Sequence, residues 1–186
     1  MRIKKKAAGL LSAGLIAGAV AATTAAVAPS VATTMSRLSL GEIAQSSSAC
    51  VIGEAIGVEY DRDVNGVYTL TTFRVTKSAF GDAGDTIVVR SAGGRYKTGK
   101  VSLVSVTASS PSFRVGDQAM LFLTDASDGN YAVTGFSQGA FAVRERNGAS
   151  IVALPTDMGG ATGLTSAIDR AISARSGPAG LGSIDQ

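Results

Sequence analysis

The sequence predicts a small, mainly β globular domain with one short helix near its start and one near its end. Three observations lead there. Apolar residues recur with a period of two, or in short continuous runs, between Cys50 and Val143. Turn signals rich in Gly, Asp and Asn separate those runs. Helical spacing with start and stop signals shows only beside Ser39 and Thr165. With 186 residues, 45% of them apolar and 17% charged, the composition is that of one ordinary globular domain rather than a disordered or fibrous chain.

The first element is a targeting segment. Arg2, Lys4, Lys5 and Lys6 form a basic start, followed by an apolar stretch over 7–20 and an Ala/Thr-rich run to Pro29. This layout predicts a Sec-type signal peptide over 1–32 and a secreted or periplasmic mature chain. An uncleaved anchor is the competing reading, since 7–28 is about long enough to span a bilayer, but its many small residues make it weakly hydrophobic. Ser30-Val31-Ala32 is the preferred cleavage signal among residues 28–32, and no stable membrane insertion is expected after cleavage. No cysteine follows the apolar run closely enough for a lipid anchor. Removing four of the 17 basic residues and none of the 14 acidic ones takes the net charge from +3 to −1. The sequence pI near 9.2 therefore reflects targeting and does not point to nucleic acid.

The β-barrel domain is expected over 33–164. Ser39 with Glu42 three residues later has capping-box spacing and opens a helix over 40–47. A long strand follows, with Cys50, Ile52, Ile56, Val58 and Tyr60 on one face and Gly53 and Gly57 on the other, able to bend sharply. Residues 61–66 form its turn, the Asn65-Gly66 pair suiting positive φ, and 67–80 the returning strand. Residues 81–85 turn again, 86–90 read as a mostly buried strand, and 91–117 is the least regular stretch, with 101–107 as a short strand inside it. Residues 119–123 are a third buried run; 131–133 and 141–143 supply further strands. Thr165 is expected to cap a C-terminal helix over 165–177, with Ala167, Ile168, Ala171 and Ile172 on its packed face, and 178–186 to be a flexible tail.

Chemistry is narrowed first by what is missing. The chain has no histidine and one cysteine, which excludes Ser-His-Asp and Cys-His catalysis, His-based metal or haem sites and an internal disulfide. Gly135-Phe136-Ser137-Gln138-Gly139 matches the nucleophile elbow G-x-S-x-G, yet lacks a base and is followed by strand residues, so a turn is expected. Residues 94–100 match a phosphate-binding loop except that Val101 stands where its magnesium-binding hydroxyl belongs, so no nucleotide is expected. Asp61, Asp63 and Asn65 before Gly66 copy half of a calcium loop, but Thr72 replaces the closing glutamate and a hydrogen-bonded turn explains them. Carboxylate pairs such as Asp61 with Asp63, or Asp125 with Asp128, sit in turns where solvation accounts for them. Cys50 reads as a small buried hydrophobe. No catalytic residue, metal ligand or cofactor is assigned, and an enzyme is not expected.

One local asymmetry remains. Arg90, Arg95, Lys97 and Lys100 lie within eleven residues that contain no acid, with Tyr96 among them. Several cations and an aromatic platform suit an anionic glycan, a lipid head group or nucleic acid, whereas a solvated loop would explain them without a ligand.

The pattern as a whole resembles small exported bacterial domains of the netrin-module and tissue-inhibitor-of-metalloproteinases-like type. The likeness covers about 39–143. It is carried by Leu40-Gly41-Glu42-Ile43-Ala44 before Ala49-Cys50-Val51-Ile52-Gly53-Glu54, by Tyr68-Thr69 through Phe73-Arg74-Val75, and by Phe113-Arg114-Val115-Gly116-Asp117 before Ala119-Met120-Leu121-Phe122-Leu123. Gly135 with Gln138-Gly139-Ala140-Phe141 completes it. The resemblance implies an OB-like antiparallel barrel with flanking helices, whose ligands would bind on the barrel face and bordering loops. Metalloproteinase inhibitors of this type chelate zinc through an N-terminal cysteine; Cys50 is internal and without a partner, so that activity does not transfer. The expectation is thus an exported, non-enzymatic binding module for an unidentified protein or anionic envelope ligand, contacted by Arg90, Arg95, Tyr96, Lys97 and Lys100. The alternative is a structural or assembly component of the envelope, docking by a sheet edge or the C-terminal helix.

Overall fold

Ser39 caps the first helix as its spacing predicts: its Oγ accepts from the Glu42 amide at 3.3 Å and the Glu42 carboxylate accepts from the Ser39 amide at 2.7 Å. In the computed structural model, which describes residues 35–126 and 128–177, this helix α1 spans Leu40–Gln45 and buries Ile43 and Ala44. The targeting segment expected over 1–32 and the tail expected over 178–186 lie outside the described residues.

Strands β1 (Ala49–Asp63) and β2 (Gly66–Phe80) form one long hairpin, in register from Cys50↔Phe80 to Asp63↔Gly66. Only Val64 and Asn65 connect them, and Gly66 carries the positive φ, at 124°. β3 (Thr86–Ala92) adds to β2 and alternates strictly, with Ile87, Val89 and Ser91 buried; it is half-buried rather than buried on both faces. The irregular stretch contains a second hairpin, β4 (Gly94–Thr98) with β5 (Val101–Ser105), which forms its own two-stranded sheet. Gly99 and Lys100 are its turn, so the basic segment is a strand and its tip rather than a loop.

β6 (Gln118–Asp125) pairs along β1 from Ala49↔Leu123 to Glu54↔Gln118. β7 (Tyr131–Val133) pairs with the second half of β6 and, in parallel, with β3 at Val89↔Tyr131. The ring β1-β2-β3-β7-β6-β1 is therefore a five-stranded, partly closed OB-like barrel whose one parallel seam departs from the antiparallel pairing expected throughout. β8 (Ala140–Arg146) continues the line of β7 along the first half of β6 and carries β9 (Ala149–Val152), which pairs in turn with β10 (Thr162–Gly163). A 3₁₀ turn over Thr156–Met158 leads to helix α2 (Leu164–Ser176).

Two cores sit on opposite faces of β1 and β6. Val51, Ala55, Phe73, Val89, Leu121 and Leu123 fill the barrel, which Phe113 closes by meeting Phe73 edge to face at 5.0 Å. Cys50, Ile52, Met120 and Phe122 face outward instead, under a layer made by α1, α2, Phe141, Val143 and Val152. This corrects the single buried face expected of β1. The strand buries both faces up to Ala55, shifts register between Ala55 and Gly57, and then leaves Ile56 and Tyr60 exposed.

The C-terminal helix also differs in detail. Gly163 occupies its N-cap and makes no side-chain cap, so Thr165 lies inside the first turn and does not cap it. Ala167 and Ala171 are buried as expected, while Ile172 is 44% exposed. Arg175 ties the helix end to the barrel, donating to the Ser47 carbonyl at 2.8 Å while its guanidinium lies over the Phe80 ring. Among the described residues no helix is long and apolar enough to cross a membrane.

Candidate functional site

The five residues singled out from the sequence do not form one cluster. Arg90 projects from the outer face of β3 and is spent within the fold. Its guanidinium donates to Asp63 at the end of β1 and, at 2.7 Å, to Asp128 in the β6–β7 turn, and it stacks on the Tyr68 ring at 3.9 Å. The side chain is only 29% exposed. It is a clamp holding the β1–β2 and β6–β7 turns together, a role invisible in sequence because Asp63 and Asp128 are remote from it along the chain.

The clamp sets the local charges. The Asn65 backbone amide, then Arg90, hold the Asp63 carboxyl below its ordinary value. Arg90 itself does most of this for Asp128, and Asp128 in turn raises Arg90. Tyr68 is shifted up, by burial first and then by its hydrogen bond to Asp61. Because both aspartates ionise more readily folded than unfolded, the clamp stabilises the fold above about pH 4 and loses that effect as pH falls through their depressed values. In an Arg90→Met variant, a carboxyl titration by NMR should find Asp128 returned toward its ordinary value while Asp63 stays partly depressed by the Asn65 amide. An unmoved Asp128 would refute the clamp.

Arg95, Tyr96, Lys97 and Lys100 remain together on the β4–β5 hairpin. Register places Arg95 opposite Val104, Tyr96 opposite Leu103 and Lys97 opposite Ser102. Side chains alternate across a strand, so Arg95, Lys97, Val104 and Ser102 share one face, and Tyr96 lies on the other with Leu103. Tyr96 is half-buried with the Arg62 guanidinium 5.3 Å from its ring centre, which turns this face toward β1. The Arg95 face is the outward one. Among the described residues Arg95, Lys97 and Lys100 have no carboxylate at ion-pair distance, in contrast to Arg90.

The hairpin is held in place by its root. Gly93 and Gly94 take positive φ of 89° and 144°, and a Cβ on Gly94 would come within 2.7 Å of both Thr69 Oγ1 and the Tyr60 ring. The Gly93 amide donates to the Val67 carbonyl at 2.8 Å, and Thr69 Oγ1 donates to the Gly93 carbonyl at 2.7 Å. A cleft of about 300 Å³ opens beside this root, lined by Arg95, Val104, Val106 and the hydroxyl-bearing Tyr60, Ser110 and Ser112. Sequence reasoning passed over Val104 and Val106. They read as ordinary strand residues; the register sets Val104 opposite Arg95, and Val106 follows the end of β5 in the open.

The motif look-alikes resolve as packing devices. The segment Gly135–Gly139 is an excursion between β7 and β8: the Phe122 carbonyl accepts from Thr134 at 2.9 Å and the Phe122 amide donates to Gly139 at 2.8 Å, so one β6 residue spans both its ends. Ser137 is exposed in that turn. Gln138 reaches back along the N-terminal approach, accepting from the Leu38 amide at 2.8 Å. Asp63 accepts from the Asn65 amide at 2.7 Å, the turn expected in place of a calcium loop, and no three metal-ligating side chains converge among the described residues. Cys50 is buried and its thiol is pushed well up by desolvation, leaving it protonated and unreactive.

These features define an OB-like barrel with a basic accessory hairpin packed beside β1 and β2. No family model matches the chain, and no curated protein matches it in sequence.

Proposed function

We propose that this is an exported, non-enzymatic binding module of the netrin-like type, whose hairpin captures anionic material of the cell envelope. The barrel ring with its flanking helices supports the type. The observation that carries the binding reading is the outward face of β4–β5: Arg95, Lys97 and Lys100 stand in solvent without carboxylate partners, in a stretch with no acid between Asp85 and Asp117. The barrel gains nothing from them. A fold that spends Arg90 on two carboxylates and leaves its neighbours uncompensated presents a field to something outside itself.

The absence of histidine and the exposed, baseless Ser137 support a non-catalytic role. The test is retention on immobilised dextran sulfate. Each exposed cation near a dense anionic surface contributes roughly fivefold to affinity, so an Arg95/Lys97/Lys100-to-Ala chain should bind about a hundredfold more weakly at low salt. The clamp variant Arg90→Met should bind as the parent does. Equal retention of the triple variant would sink the proposal.

A further inference from the structure

The exposed aliphatic residues beside the cations say which anion. Val104, opposite Arg95 in register, is 61% exposed, and Val106, just beyond the end of β5, is 91% exposed. β-Branched apolar side chains standing in water beside cations are out of place on a surface meant for a wholly polar ligand. A glycan or a single-stranded nucleic acid would call instead for an aromatic platform next to the charges. The one aromatic residue of the hairpin, Tyr96, is turned to the opposite face beneath Arg62. What remains is a rigidly rooted ribbon with two cations along one strand, two valines on or just beyond its partner, and a lysine at the tip. Beside it lies a cleft of about 300 Å³ where Arg95 stands among hydroxyl-bearing side chains. That is the pattern of an interfacial membrane contact: cations for phosphate, aliphatic groups for the boundary below it.

We propose that the outward face of the β4–β5 hairpin docks on an anionic bilayer surface, seating a lipid phosphate in the cleft at Arg95 and setting Val104 and Val106 into the head-group boundary. The proposal rests on the anion-binding reading above and narrows it to lipid. The binding is peripheral. It needs no membrane-spanning element and is independent of the N-terminal apolar stretch.

The chain contains no tryptophan, so V106W places a single reporter on this face and I172W a control on α2. The full chain is titrated with vesicles of phosphatidylglycerol mixed with phosphatidylcholine, and with phosphatidylcholine alone; the basic N-terminal segment adds the same background to every variant. The V106W emission should shift to shorter wavelength on the anionic vesicles only, and I172W should not shift. R95A/K97A should weaken the V106W response about 25-fold, at roughly fivefold per charge. V104S in the V106W chain should weaken it several-fold further by removing apolar contact. Thermal unfolding unchanged across the set confirms that the barrel is intact. If V106W emission stays put on anionic vesicles while dextran sulfate retention still depends on Arg95 and Lys97, the lipid inference falls and the broader anion reading stands. If neither assay depends on those residues, both fall.

Discussion

Truncating Phe122 to alanine should lower the unfolding free energy by about 3–5 kcal/mol. The ring is fully buried on the outer face of β6 and meets Phe80 and Phe141 edge to face, with centroids 6.1 and 5.9 Å away. Those two residues come from β2 and β8, so one side chain joins the barrel hairpin to the strands beyond the ring. Collapse into the cavity is opposed, because the Phe122 backbone is fixed on both sides by Thr134 and Gly139. Urea unfolding with an unchanged m-value would read the loss directly. A loss below about 1.5 kcal/mol would mean that the layer beneath the helices repacks freely.

The second large effect comes from adding a single carbon. At Gly139 a Cβ would lie 2.6 Å from the Thr134 carbonyl oxygen and 3.2 Å from that of Phe122, both backbone atoms. The Thr134 carbonyl is also the acceptor of the Gly139 amide, at 3.0 Å, so the clash cannot be relieved without breaking the bond that closes the excursion. Gly139→Ala should therefore cost about 2–3 kcal/mol. Ser137→Ala, at an exposed position in the same turn, should stay within about 0.5 kcal/mol. In the strand excursion the final glycine, and not the exposed serine, is the position on which stability depends. Thermal melts of the two variants check this contrast, and a Gly139→Ala protein as stable as the parent would exclude the packing account.

The β content and the order of most elements were legible because they rest on local signals. Ser39 and Glu42 sit at the right spacing to cap one another; Asn65-Gly66 marks the hairpin, and the run Ala119–Leu123 is apolar enough to be buried on both sides. The second face of β1 was not legible. Val51 lies between Cys50 and Ile52, and Ala55 is a small residue between Glu54 and Ile56; which of two cores receives them is decided by β6, far along the chain. Of the hairpin β4–β5, the second strand was legible within 101–107, but β4 was hidden for a different reason: its residues are mostly polar and exposed, so no burial period marks it. Thr165 has the chemistry of a cap, but the backbone enters α2 from β10, and Gly163 takes that place. For the candidate site, the sequence supplied the cations but not their partners. Arg90 looked equivalent to Arg95 until Asp63 and Asp128 were brought to it by the ring, and Tyr96 looked like a platform until the register turned it inward.

The pairing of β1 with β6 also governs the order in which the structure can form. β1 and β2 meet through a two-residue connection and can zip at once, but the other edge of β1 waits for residues more than sixty positions later, from Ala49↔Leu123 to Glu54↔Gln118. Contacts so distant in sequence place the domain among the slower single-domain folders, in milliseconds to seconds. In a chain that emerges amino end first, Val51 and Ala55 on one side and Cys50 and Ile52 on the other remain uncovered until β6 has appeared. An apolar strand with one open edge is sticky during that interval. The long hairpin is thus the part of the molecule most in need of a chaperone, and the rate at which the segment through Asp125 is delivered sets how long that need lasts.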